Sequence, residues 1–231
     1  YLFAYNGEIY DYRKLSENIN KNIQYSDTQF LFDLLNKDKN LNKIKKFSGF
    51  YSFVYLDKKK NTINFSRDLL GKKPLYYYID ENFFILSSEE KGIFNFIKKE
   101  VDPESIFEYF FYKHLHYDKT FFKNIKSIAP GSVNKFDLKN WKFKTNKTWE
   151  NFYNESLFKC KDSKNFKRKF FNTLSNSVKI RNICDVRTQL ALSSGYDSAL
   201  ILNLIKKNKS IINFKNSISI GFNNKNNESI A

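Results

Sequence analysis

The 231-residue sequence has no Met, two Cys, three Pro and seven Gly. So little Gly and Pro excludes collagen-like and linker-like chains, which need far more of both. Cys160 and Cys184 form no disulfide framework and lack metal-ligand spacing, so a reducing compartment, the cytoplasm, is expected. No apolar run approaches the ~20 residues of a membrane-spanning helix. The opening residues Tyr1-Leu2-Phe3-Ala4-Tyr5 lack the charged segment of a signal peptide. With no Met anywhere, the chain reads as a piece of a longer polypeptide.

Hydrophobic residues make up 41% and aromatics 18%, enough for a sizeable core and too much for a wholly disordered chain. Lys and Arg number 40 against 24 Asp and Glu, a net charge of +16. That balance invites a nucleic-acid partner. Only five of the 40 are Arg, however, the residue preferred for bidentate phosphate and base contacts. The diffuse Lys is read as solvated surface, not as a nucleic-acid interface. His114 and His116 form an H-x-H pair with no third ligand nearby and are read as surface or packing residues, so no metal is assigned.

Two patterns divide the chain. The first part is strand-rich. Residues 1–10 alternate, with Asn6-Gly7 a hairpin-turn signal. Lys14 to Asn18 can begin a helix. Ser26-Asp27 before Phe30, Leu31, Leu34 and Leu35 predicts a capped amphipathic helix. Phe50 to Leu56 and Thr62 to Phe65 read as a hairpin, as do Leu75 to Ile79 and Phe83 to Leu86. Asp102-Pro103 opens an amphipathic helix to Phe111. Residues 139–165 are polar and weakly periodic, so the boundary falls there. It separates domains over 1–152 and 160–231. In the second, Phe166 to Ile180 reads as a helix with Phe166, Phe170, Phe171, Leu174 and Val178 on one face. A short buried strand (Gln189 to Leu192), a loop, a helix (Ser198 to Lys207) and a strand (Ser217 to Phe222) then give an α/β signature. Cys184 reads as a small packed residue.

Two segments bear chemistry. Ser193-Ser194-Gly195-Tyr196-Asp197-Ser198 joins a strand to a helix, where small residues and backbone N–H groups suit an anion. The same residues also suit an ordinary helix cap. Asn6-Gly7 offers a side-chain amide beside a backbone N–H, the elements of an oxyanion hole, or alternatively a plain turn.

In order along nearly the whole chain, these segments resemble the glutamine-dependent asparagine synthetases. Asn6-Gly7-Glu8-Ile9-Tyr10 resembles that family's N-G-E-I-Y, Ser26-Asp27-Thr28 its S-D-T/C, and Gly49-Phe50-Tyr51-Ser52-Phe53 its G-M-F-A-F. Arg67 to Tyr76 is similar to R-D-x-L-G-x-K-P-L-Y, Ser88-Glu89 to A-S-E, and Pro130-Gly131 to P-P-G. Ser193 to Ser198 resembles the pyrophosphatase loop S-G-G-x-D-S, and Ser219 to Phe222 with Glu228-Ser229 fits the next strand.

The resemblance implies an α+β, N-terminal-nucleophile-type (αββα) glutaminase domain, incomplete, with two sheets between helices. The start of a Rossmann-like α/β ATP-pyrophosphatase domain would follow. It implies that ammonia from glutamine is delivered to an adenylated aspartate, giving asparagine, AMP and pyrophosphate. Related enzymes that amidate a sugar or peptide carboxylate, and a non-catalytic basic remnant, are the alternatives. By motif, Asn6 and Gly7 would hold the oxyanion. Asn6, Gly7, Glu8 and Asp27 would bind glutamine, with Asp27 pairing its α-ammonium. Leu192, Ser193, Ser194, Gly195, Asp197, Ser198 and Ile220 would surround ATP, with Mg²⁺ on its phosphates. A homodimer is compatible with this reading; a membrane is not. Arg67, Asp68 and Pro74 are read as residues that order turns. The family's nucleophile is an N-terminal cysteine. No Cys precedes Cys160, and the early arginine for the glutamine carboxylate is missing, so this stretch alone is not expected to hydrolyse glutamine. Ser194 replaces the loop's second glycine, which would strain a backbone requiring positive φ.

Overall fold

The computed structural model describes residues 1–16, 26–37, 41–116, 118–147, 163–183, 186–208 and 213–221. The expectations for residues 17–18, Cys160, Cys184, Phe222 and Glu228-Ser229 lie outside these. The chain divides into two compact units, Tyr1–Phe152 and Tyr153–Ala231.

Alternating side chains build the first unit. Strands β1 (Leu2–Ile9), β2 (Gly49–Asp57), β3 (Thr62–Arg67), β7 (Ser132–Asp137) and β8 (Lys142–Lys147) form an antiparallel sheet in the order β1-β2-β3-β7-β8. A second antiparallel sheet has the order β5-β4-β6, from β4 (Tyr76–Ile79), β5 (Phe84–Ser87) and β6 (Lys126–Ser127). On β2, Tyr51, Phe53 and Tyr55 share a face with the two-residue period of a strand. They pack with Phe30, Leu31, Leu34 and Leu35 of helix α2 (Asp27–Lys37), whose 3.6-residue stripe matches that face. Ser26 accepts the Gln29 N–H at 3.2 Å, the expected cap. On the opposite face Val54, Ile63, Phe65 and Phe136 pack with Leu75, Tyr77, Phe84 and Leu86 of the second sheet and its approach. One helix therefore covers one face of the larger sheet, and a smaller sheet covers the other; the short helices α1 (Tyr12–Ser16) and α3 (Glu90–Ile93) follow β1 and β5.

The segment after β3 is tied down by Asp68, 2% exposed. Its carboxylate accepts N–H bonds from Tyr51, Leu70, Lys72 and Lys73 at 3.0–3.2 Å. Arg67 donates to the carbonyls of Lys73, Gly71 and Ile128 and to the Ser127 hydroxyl. Gly71 takes φ +63°, open to glycine at little cost. This pair orders the turn, as its sequence suggested.

Several expectations are corrected or refined. Asn6-Gly7 makes no turn: β1 runs straight through it to Ile9. A Cβ on Gly7 (φ +153°) would lie 2.2 Å from the Phe50 carbonyl oxygen, so glycine serves close strand approach here. The polar stretch from residue 139 contains β8. Its Phe143 ring lies within 5.4–6.3 Å of Phe65, Tyr77 and Phe84, so one aromatic anchors a Lys-rich edge strand. Helix α4 (Pro103–Tyr112) begins as predicted, with the Asp102 carboxylate accepting the Glu104 N–H, yet Phe107, Phe110 and Phe111 are exposed. The turn chemistry holds, and among the apolar side chains Tyr109 meets the Phe121 ring at 5.3 Å while those three stay exposed.

In the second unit, helix α5 (Ser163–Arg181) leads to strand β9 (Thr188–Ala191), helix α6 (Tyr196–Lys207) and strand β10 (Phe214–Ile218), parallel to β9. A further correction is that β9 is half-exposed rather than buried. On α5 Val178 is buried, while Phe166, Phe170 and Phe171 are exposed. Helix α6 starts two residues earlier than its pattern implied, which shortens the loop before it, and β10 lies upstream of the span expected.

Candidate functional site

Ladder parity dictates what β1 presents. Tyr10 N–H donates to the Ser48 carbonyl at 2.8 Å, and the register from Leu2↔Leu56 to Ile9↔Gly49 is unbroken. In an antiparallel pair bonded residues alternate. The even residues of β1 therefore bond to β2, while the N–H groups of Gly7 and Ile9 point to the free edge. Ile9 N–H is taken there by Asp27 Oδ2 at 3.1 Å. The same oxygen accepts the Tyr5 hydroxyl at 2.7 Å, and Oδ1 accepts the Thr28 N–H at 2.7 Å. Asp27 is thus fixed at the start of α2 beside the Gly7–Ile9 edge. Burial, then the bond to Asp27, pushes the Tyr5 hydroxyl pKa well above the ordinary tyrosine range, so it remains a donor.

Asn6 projects from the other face. It lines a cavity of about 180 Å³ with Ala4, Ser52, Val54, Leu75, Leu86, Ser87 and Ser88, and with parts of Tyr5 and Phe53. Asn6 and Ser52 are directly opposed in the register. Among the described residues neither side chain has a hydrogen-bond partner. Glu8 follows Asn6 by two residues and so shares its face by strand alternation. Asn6, Gly7 and Glu8 thus occupy one strand segment, and Asp27 meets its edge from the helix side. Sequence reasoning missed Tyr5 and Ser52, because their roles depend on which residues lie across the ladder.

The second unit has its own cavity, about 690 Å³, at the carboxyl ends of the parallel strands β9 and β10. That volume lies within the ~300–1,000 Å³ usual for small-molecule clefts. Leu192, Ser193 and Ile220 line it, with Gln189, Ala191, Ile218 and Ser219 beside them. Ser198 lies within one helical turn of this loop: its single hydroxyl proton has the Ser193 and Gly195 carbonyls, both at 3.0 Å, as alternative acceptors, and the oxygen accepts the Ser193 N–H at 3.2 Å. Ser194, Gly195 and Asp197 are exposed at the start of α6, outside the cavity lining. Gly195 caps α6 without a side-chain bond, leaving the first-turn N–H groups for a ligand. Ser194 does not adopt positive φ, so its Cβ causes no backbone strain. No helix among the described residues is long and apolar enough to cross a membrane.

Residues 1–149 match the model of the glutamine amidotransferase domain. A provisionally named glutamine-hydrolysing asparagine synthetase 2 of Methanocaldococcus jannaschii is 33% identical over 229 residues, 97% of this chain and 44% of that protein. Glutamine-hydrolysing asparagine synthetase 1 of Bacillus subtilis is 28% identical over 216 residues, 90% of this chain and 33% of that protein. The chain thus spans less than half the length of these relatives. Among solved structures, the B. subtilis glutamine phosphoribosylpyrophosphate amidotransferase complexed with ADP and GMP has a TM-score of 0.44 at 16% identity. That match covers 64% of this chain and 29% of that one, a likeness too distant to assign a fold. On the match over its first 149 residues, this chain belongs to the glutamine amidotransferase domain family.

Proposed function

We propose that the chain comes from a cytoplasmic asparagine synthetase-like amidotransferase. Its first unit is the N-terminal-nucleophile-type (αββα) domain that handles glutamine, and its second begins the ATP-pyrophosphatase domain. The observation that carries this reading is Asn6. Its amide is unpartnered at a cavity wall, next to a residue whose N–H faces the open strand edge, with a fixed carboxylate at that same edge. An amide and a backbone N–H can together stabilise the oxyanion that forms when the glutamine carboxamide is attacked. Asp27 supplies the counter-charge for the α-ammonium. Its roughly four acceptor sites are met by Tyr5, Ile9 and the Thr28 N–H and hydroxyl, so the α-ammonium would take the place of the longest of these, the Thr28 hydroxyl at 3.4 Å.

In the second unit the triphosphate of ATP would lie at the uncapped start of α6, with the base in the 690 Å³ cavity. Mg²⁺ would ride on those phosphates, which suits an ion normally held by one or two carboxylates plus phosphate oxygens. Asp197 in the first turn of α6 is such a carboxylate. The ion would supply charge neutralisation, and the chain's own groups would position the phosphates. The acceptor activated there would be aspartate, and the assembly a homodimer. In the complete protein, Asn6→Ala is expected to lower glutamine-dependent asparagine formation by ~10²–10³-fold, the worth of one oxyanion donor. Synthesis from added ammonia should persist. Equal loss with both nitrogen donors would refute the assignment.

A further inference from the structure

The cavity beside Asn6 contains a second polar group. Ser52 is 3% exposed. Its face of β2 is the one carrying Val54, which packs toward the smaller sheet. Ser52 therefore points into the space that Asn6 lines, directly opposite it in the register. A buried hydroxyl normally finds a partner. Among the described residues Ser52 has none. The other walls are Ala4, Val54, Leu75 and Leu86, with Ser87 and Ser88 at the rim, and no lining residue carries a charge.

We infer that Ser52 is a specificity-determining contact which, with Asn6, selects the neutral carboxamide of glutamine over the carboxylate of glutamate. The inference rests on the reading that this unit handles glutamine. A primary carboxamide has two N–H donors and one accepting oxygen. The Asn6 amide and the Ser52 hydroxyl between them offer donors and acceptors to match. A carboxylate in the same place would lose its water with no cation to replace it, a costly transfer. The apolar walls suit the methylene stem of the side chain.

The test is equilibrium binding of L-glutamine and L-glutamate to the complete protein and to its Ser52→Ala variant. The wild type should prefer glutamine. Ser52→Ala should weaken glutamine by about two- to tenfold, one neutral hydrogen bond, and leave glutamate unchanged. Its Tm should not fall, because the substitution removes an unpartnered buried hydroxyl. Unchanged glutamine binding in Ser52→Ala overturns the inference, as does equal weakening of both ligands. A lowered Tm overturns its premise. A wild type that does not bind glutamine overturns both the inference and the reading beneath it, an outcome distinct from failure of Ser52 alone.

Discussion

Asp68→Ala tests the structure most directly. The native carboxylate is buried and accepts four backbone N–H groups, from Tyr51, Leu70, Lys72 and Lys73. Alanine would strand all four donors, the Tyr51 N–H in a buried site and those of Leu70, Lys72 and Lys73 in partly buried ones. Each unsatisfied donor costs about 1–3 kcal/mol, and relaxation of the turn pulls the total toward the lower end. A loss of about 4 kcal/mol is expected, on the scale of breaking a buried charged network. In a protein of this size that corresponds to a fall in Tm of about 8–16 °C. Asp68→Asn keeps one accepting oxygen and turns an NH₂ group toward two donors, so about half the loss should appear. Urea unfolding followed by far-UV circular dichroism would measure both variants. A loss below about 1 kcal/mol for Asp68→Ala would show that the four bonds do not hold the turn. The consequence extends to the site, since this turn delivers Leu75 to both the inter-sheet core and the Asn6 cavity.

Two further outcomes follow from local electrostatics and backbone geometry. The Glu108 carboxyl is lowered to about 2, chiefly by the Lys119 ammonium at 2.6 Å and then by the backbone and ring of His116. A depressed carboxyl contributes stability above its unfolded value of about 4.3, and loses it as pH falls toward 2. Glu108→Gln should therefore flatten the acid limb of a stability-against-pH curve between those values, and an unchanged limb would contradict the pairing. Ser194→Gly should leave thermal stability unchanged or lower it by up to about 1 kcal/mol, because no positive φ is relieved and glycine adds chain entropy. A clear gain in Tm would mean that the serine is strained.

Much of the layout could be read before any coordinates. Ser26-Asp27 and the stripe Phe30, Leu31, Leu34, Leu35 specify α2 because capping and a 3.6-residue period are local properties. The β2–β3 hairpin and the cap at Asp102 follow from equally local chemistry. β8 escaped notice because Lys142 and Lys144 are exposed at a sheet edge, and within the strand Phe143 records its attachment. The exposed aromatics of α4 show the converse, since apolar periodicity announces a face but not what lies against it.

The candidate site divides along the same line. Resemblance to a family's motifs singled out Asn6, Gly7, Asp27 and the Ser193–Ser198 loop, and their amides, carboxylates and hydroxyls are chemically suited to the roles that the resemblance implies. Pairing decided the rest. Asn6-Gly7 is a turn signal in isolation, and it became extended strand because Gly7 lets β1 approach the Phe50 carbonyl. Tyr5 became the partner of Asp27, and Ser52 the neighbour of Asn6, through contacts spanning 22 and 46 positions of chain. Local propensity acts over a few residues, whereas ladder register is set by the burial of whole sheet faces. Which side chains share a cavity is therefore a property of the packed sheets.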